Sequence, residues 1–282
     1  MSPELSFPTI AVLGLGVMGG SLAKALSARR PDTTIVGWSP AVGERDDALE
    51  LGILSAAPAA WEEAVEEASL VVLAMPLDAC RAMILAMDGV APSRATVMDV
   101  ASLKAPVARA VEAGGLRDRW VGAHPMAGSE GSGFGRSSEN LFAGARVWLV
   151  AGEVGRDRIA AVSELWRDVG GSPREIDAEE HDRLMGLVSH LPQLLANALG
   201  AELARRSVTP PDLGPGGRDM TRLAASNPEM WHDLLRYPSR DLIESLRGVS
   251  DTAGQIASAL ERADVDAVAR LMRETMTWRA GG

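Results

Sequence analysis

A chain of 282 residues, 46% hydrophobic and 23% charged, is long enough to close one or two real cores without staples and is unlike a disordered chain in composition. Its formal net charge of −10 leaves no Lys/Arg stripe to replace the counterions of a nucleic acid, although a small acidic ligand met by a few clustered arginines stays compatible with it. One cysteine, Cys80, excludes an internal disulfide; no apolar run approaches the ~18 residues of a membrane span, and MSPELSFPTIAVLG lacks the basic flank of a signal peptide, so a cytoplasmic setting without membrane or nucleic-acid partners is expected.

Along the first half, short apolar runs at 9–14, 33–38, 69–75, 95–100, 120–124 and 145–150 alternate with Ala-, Leu- and Glu-rich segments such as 17–29, 61–68, 78–88 and 103–113. Continuous rather than alternating hydrophobicity suits strands covered on both faces, so a doubly wound, Rossmann-like parallel sheet with flanking helices is predicted for residues 1–175. Beyond that point strand-like runs cease. Helical patterns occupy EEHDRLMGLVSHLPQLLANALGAELARR and then about 229–236, 240–260 and 264–278, with a Pro/Gly break at 209–218 and another at 237–239. Residues 176–282 are therefore expected to form an all-α domain, and its Leu/Ala-rich stripes suit pairing with a second copy.

The first strand-like run opens into GLGVMGG, where Gly14, Gly16 and Gly19 have the GxGxxG spacing between strand and helix. The first glycine permits a tight turn, the second lets backbone approach a pyrophosphate, and the third allows close helix–strand packing. The N–H groups around Val17 and Met18 then face an anion at the helix start. The position at the end of the second strand, where a carboxylate would grip a ribose hydroxyl and select NAD, is Ser39. Arg45 offers positive charge nearby, while Pro40, Glu44 and Asp46 count the other way; the cofactor is NAD or NADP with the preference open. Met75 and Pro76 end the third run, on the strand edge where α/β sheets bind ligands. Asp99 reads as a buried turn residue or a cofactor contact, Ser102 as a site residue or the N-cap of a helix beginning near Leu103, and Lys104 as a solvated helix residue or part of an anion field.

His124 closes the fifth run and enters the glycine-rich loop HPMAGSEGSGFGRSSENLFAG. Oxidising an alcohol requires a group that takes the hydroxyl proton as hydride leaves carbon, and a neutral imidazole suits that task. Glu130 is assigned a supporting role in the same loop. Four histidines and one cysteine in no recognised spacing argue against a metal centre; His181 and His190, nine apart, would lie on opposite faces of one helix.

Taken in order, GLGVMGG, DVASLK, HPMAGSEGSG…NLFAG, HDRLMGLVSHLP and TRLAASNPEMW resemble the prephenate/arogenate dehydrogenase family of tyrosine synthesis over residues 9–250. The resemblance implies a nucleotide domain, a helical dimerisation domain and a site between them, with prephenate or arogenate as substrate. It gives His124 the role of base toward the ring hydroxyl, Ser102 a hydrogen bond to that histidine and hydroxyl, His190 a place in the substrate cleft, and Arg222 the grip on a substrate carboxylate. Gln193 replaces the second histidine of SHLPH, and Tyr237-Pro238 replaces an expected Glu-Asn. The alternatives are a small-hydroxyacid dehydrogenase, whose helix lysine has no convincing equivalent here, and a non-enzymatic NAD(P)-binding sensor.

Overall fold

The structure, a computed structural model, describes residues 7–128 and 131–281. Among them, seven strands form one sheet in the order β2-β1-β3-β4-β5-β6-β7, comprising β1 (Thr9–Leu13), β2 (Thr34–Trp38), β3 (Leu70–Leu73), β4 (Thr96–Asp99), β5 (Trp120–Pro125), β6 (Arg146–Ala151) and β7 (Ser172–Glu175). All neighbouring pairs are parallel except β5 with β6. The crossovers are α1 (Val17–Arg29), α2 (Val42–Glu50) with α3 (Trp61–Val65), α4 (Leu77–Ala86) and α5 (Ala105–Ala113); α6 (Arg156–Asp168) joins β6 to β7. One core layer collects Ile10, Val12, Leu22, Leu26 and Trp166, the other Leu13, Val71, Leu73, Ile84 and Trp120, so both faces of the central strands are covered.

The doubly wound sheet is the one expected, with every apolar run forming a strand. β7 was not expected because Ser-Pro-Arg-Glu carries no hydrophobic signal; it is an edge strand, where proline is tolerated. At the opposite edge β2 is flanked by the segment around Ala56, which bridges Val36 and takes the Gly37 N–H on its carbonyl at 3.0 Å. Helix α2 was also missed, since VGERDDALE buries only Ala48 and shows no apolar stripe. Helix α5 starts at Ala105 rather than near Leu103, so Ser102 is not its N-cap; Lys104 occupies that place.

Compactness divides the chain into two units: residues up to Asp182 together with Pro228–Tyr237, and Arg183–Asn227 together with Pro238 onward. The helices beyond β7 are α7 (Ala178–Met185), α8 (Leu191–Arg205), α9 (Pro215–Thr221), α10 (Pro228–Leu235), α11 (Arg240–Glu261) and α12 (Val265–Ala280). Helix α10 belongs to the first unit. The residue after it, Tyr237, ties it to α4: its hydroxyl accepts from Arg81 and lies 3.1 Å from Asp78 Oδ1, while Arg236 reaches the other Asp78 oxygen at 2.8 Å. Tyr237 thus serves as a clamp at a helix junction.

In the second unit a π-turn, Gly186–His190, joins α7 to α8. Pro192 follows immediately, and a proline ring has no N–H and collides with the carbonyl four residues back, so a widened turn accommodates it. Gly186 admits α11 closely, since a Cβ there would meet Ser239 Oγ at 2.6 Å. Ser239 and Asp264 cap α11 and α12 through the N–H groups of Leu242 and Ala267. The expected break at 209–218 is shorter than the sequence suggests: α9 begins inside it, with Pro215 at the first helical position where a missing N–H is harmless. Among the described residues no helix is long and apolar enough to cross a membrane.

Candidate active site

The glycine turn is built by packing at two positions and left open at the third. Gly14 has φ +98°, and a Cβ there would lie 2.2 Å from the Ala74 carbonyl oxygen; a Cβ on Gly19 would lie 1.8 Å from the Gly14 oxygen. At Gly16 a Cβ would meet nothing within 4 Å. The protein itself therefore makes no demand for glycine at 16, whereas a ligand approaching the backbone would. Gly16 is the N-cap of α1, no side chain caps it, and Val17 and Met18 form the first helical turn without an acidic residue, so the exposed N–H groups suit a phosphate.

The turn opens onto a cavity of about 530 Å³ lined by Gly14, Gly16, Ser39, Glu44, Met75 and Pro76 among others. Three further expected cofactor residues, Ser39, Met75 and Pro76 at the ends of β2 and β3, are thus joined to the glycine turn in one pocket, largely apolar toward the α4 side through Ala79, Ala82 and Met83. A mostly apolar pocket that begins at an uncapped helix start fits a dinucleotide. Arg45 does not supply the positive charge considered for it: its Nη1 donates to the carbonyls of Pro58 and Ala59 at 2.8 and 3.3 Å, and it is not among the lining residues.

At the next strand end, Asp99 and Lys104 are both fully buried and paired with each other. Trp120 Nε1 donates to Asp99 Oδ2 at 2.9 Å, the Ala101 N–H to Oδ1 at 3.0 Å, and Lys104 Nζ to the Ala123 carbonyl at 2.8 Å. Neither residue is a solvated or ligand-facing charge; together they brace the β4–α5 turn against β5. Ser102 sits half-buried in that turn, and its hydroxyl makes no hydrogen bond with a described residue. Cys80 is buried close by, its thiol pushed well above the usual range by burial and then by the Asp99 charge, and is no nucleophile.

His124, at the end of β5, has a partner that the sequence did not reveal. Its Nδ1 lies 2.9 Å from Nε2 of His181, and Nδ1 of His181 lies 2.8 Å from Asp182 Oδ1. Asp182 Oδ1 also accepts the Lys104 N–H at 2.7 Å, and Oδ2 accepts that of Ala105 at 2.9 Å. A carboxylate already receiving two backbone N–H groups is an acceptor, so the proton between it and His181 sits on His181 Nδ1. His181 Nε2 in the neutral ring then accepts, and His124 donates from Nδ1. In that arrangement the His124 ring carries its proton on Nδ1. His181 is fully buried at the start of α7, and its only sequence signal was the dipeptide His-Asp within HDRLMG.

The remaining expected site residues belong to the second unit, except Glu130, which lies outside the described residues. His190 is buried at the end of the π-turn. Gln193, also buried, uses its amide fully: Nε2 donates to Asn197 Oδ1 at 2.8 Å and to the Leu223 carbonyl at 2.7 Å, and Oε1 accepts from Ser226 at 3.0 Å. It thereby fastens α8 to the short helix Arg222–Ala225 that begins with Arg222, an exposed residue. Among the described residues no group of three or more His, Cys, Asp or Glu could hold a metal ion.

Comparison with known proteins covers nearly the whole chain. The model of the prephenate dehydrogenase nucleotide-binding domain matches residues 22–173, and that of the prephenate dehydrogenase dimerization domain matches 177–274. A cyclohexadienyl dehydrogenase of Zymomonas mobilis is 29% identical over 279 residues, covering 97% of this chain and 95% of that protein. Among solved structures, Aquifex aeolicus prephenate dehydrogenase in complex with hydroxyphenyl propionate and NAD+ superposes with a TM-score of 0.87 at 29% identity, covering 99% of each chain. Synechocystis arogenate dehydrogenase does so with a TM-score of 0.81 at 25% identity over 96% of this chain and 98% of its own.

Proposed function

We infer that this chain, which belongs to the prephenate dehydrogenase family, catalyses the oxidative decarboxylation of prephenate to 4-hydroxyphenylpyruvate with hydride transfer to NAD or NADP. The observation that carries the reading is the chain from Asp182 through His181 to His124, which orients an imidazole on the strand edge that also bears the glycine turn.

The bound nicotinamide supplies the hydride acceptor. His124 Nε2 accepts the proton of the ring hydroxyl as hydride leaves the same carbon. The ring carboxylate departs as carbon dioxide, its bonding pair enters the ring, and the oxygen of the new phenol recovers a proton from His124, so the reaction consumes no net proton. The positive charge that His124 carries between these two transfers is shared with His181 and faced by the Asp182 carboxylate, a preorganised arrangement that needs no solvent to reorient. In this reading Ser102 contacts the same hydroxyl, Glu130 supports the loop, and His190 and Arg222 hold the substrate's carboxylate side, the arginine through its fixed donor fork. Gln193 acts by fixing the helix that starts with Arg222.

Gln193 in place of a second imidazole favours keeping one further substrate in view, arogenate, which would give tyrosine directly. We also propose that the second unit pairs with a second copy. Its matched model is a dimerization domain, and Met272, Met276 and Trp278 on α12 are exposed, Trp278 by 80%.

Steady-state reduction of NAD and NADP, each with prephenate and with arogenate, tests the reading. Turnover with prephenate supports it, turnover with arogenate alone shifts the substrate, and no turnover in all four pairs by a folded protein that binds dinucleotide replaces it with a non-enzymatic sensor.

A further inference from the structure

The end of β2 carries serine where a ribose-binding carboxylate is expected, yet the cavity there is not without negative charge. Ser39 is 3% exposed, and its hydroxyl donates to Glu44 Oε2 at 2.6 Å while accepting the Ala41 N–H at 3.2 Å. Glu44 stands in the first turn of α2 and lines the same cavity as Gly14 and Gly16. Among the described residues lining the cavity it is the only charged one. Its second oxygen, Oε1, accepts no hydrogen bond from a described residue. Gly14 donates its N–H to the Trp38 carbonyl at 2.7 Å, so the glycine turn and the residue preceding Ser39 are held at adjoining edges of one pocket.

We propose that Glu44, anchored by Ser39, takes the place of the missing carboxylate and makes this protein selective for NAD over NADP. The proposal rests on the dehydrogenase reading above and deepens it. A ribose with both hydroxyls presents donors that a carboxylate accepts. A 2′-phosphate presents no donor and brings a charge of about −2 at neutral pH next to an existing negative charge. Arg45, the next residue along, is committed to the carbonyls of Pro58 and Ala59 and does not line the cavity. Selectivity therefore comes from an attraction to one cofactor and a repulsion against the other, acting through one side chain. The serine matters because it fixes the orientation of a carboxylate that stands on a helix rather than on the strand end itself.

Binding of NADH and of NADPH, followed without substrate through quenching of protein tryptophan fluorescence, gives a direct test, since Trp38 lines the cavity. The full-length protein is compared with Glu44→Gln and Arg45→Ala, each checked for an unchanged melting temperature. We expect NADH to bind about ten- to a hundredfold more tightly than NADPH, the range one charged hydrogen bond supplies. Glu44→Gln should compress that ratio at least tenfold, loosening NADH and tightening NADPH, and Arg45→Ala should leave it unchanged. Equal binding of the two by the parent protein, an unaltered ratio in Glu44→Gln, or a selective loss of NADPH in Arg45→Ala would each overturn the proposal while leaving the dehydrogenase reading intact. Failure of the folded parent to bind either dinucleotide would remove both.

Discussion

Nε2 of His181 meets Nδ1 of His124 at 2.9 Å across 57 positions of sequence, and this contact orients the His124 ring and couples it to a tautomer. If the tautomer matters to the reaction, replacing His181 by the apolar His181→Leu should lower kcat by about 10²–10⁴, the range seen when an imidazole base loses its orienting partner. NADH binding should not change. His181→Gln, whose amide can accept the same bond, should recover part of the rate. A His181→Leu protein with undiminished kcat would show that the contact is only packing.

The three motif glycines should separate into two classes. Gly14→Ala and Gly19→Ala place a methyl group against backbone, so each should destabilise the fold by about 1–3 kcal/mol or more. Gly16→Ala meets open space and a backbone conformation that alanine adopts, so its stability should stay within about 0.5 kcal/mol of the parent. Dinucleotide affinity should fall in Gly16→Ala none the less. Denaturant unfolding together with NADH titration distinguishes the classes, and undiminished NADH affinity in Gly16→Ala would contradict a ligand at that turn.

The start of α7, which carries His181, should weaken in acid. Asp177 Oδ1 accepts the N–H groups of Glu179 at 2.9 Å and Glu180 at 3.2 Å, and its carboxyl is held below the ordinary 3.8, first by the bond from Glu180 and against a smaller opposing effect of burial. A carboxyl whose folded value is depressed contributes stability above its unfolded value, and that contribution disappears as pH falls through the folded one. Asp177→Ala should therefore be about 1 kcal/mol less stable at neutral pH. The difference should begin to shrink below 3.8 and then vanish. A difference that persists into strong acid would show that the cap acts without its charge.

The exposed face of α12 should hold two copies together. Sedimentation equilibrium is expected to give a dimer for the parent and a shift toward monomer for Met272→Glu combined with Met276→Glu, because a charge buried in an apolar interface has no partner. A monomeric parent would exclude this face as an interface in solution.

The strands at the centre of the sheet were legible because Leu70–Leu73 and Thr96–Asp99 are buried on both faces and read as unbroken apolar runs. The glycine turn was legible for a different reason: chain reversal and close approach restrict those positions to one residue type. The His181–Asp182 arrangement was not legible, since it depends on α7 returning to the β4–α5 turn and nothing local in His-Asp announces that contact. Glu44 was legible only as a charge counting against the positive one of Arg45. Its hydrogen bond with Ser39 depends on how the first turn of α2 folds back over the end of β2, which nothing local announces. Lys104 was misread because a lone lysine at a helix start usually faces water, and only the fold places Asp99 and the Ala123 carbonyl around it.

The two margins of the sheet restrict how copies of this protein can meet. One is covered by the chain around Ala56, and the other ends in a short strand that carries Pro173 between exposed polar neighbours. Neither margin offers a long row of unsatisfied backbone donors and acceptors, so strand-by-strand growth into open fibres has no ready template. Self-association is left to side chains on helices, whose geometry allows a closed pair that stops at two.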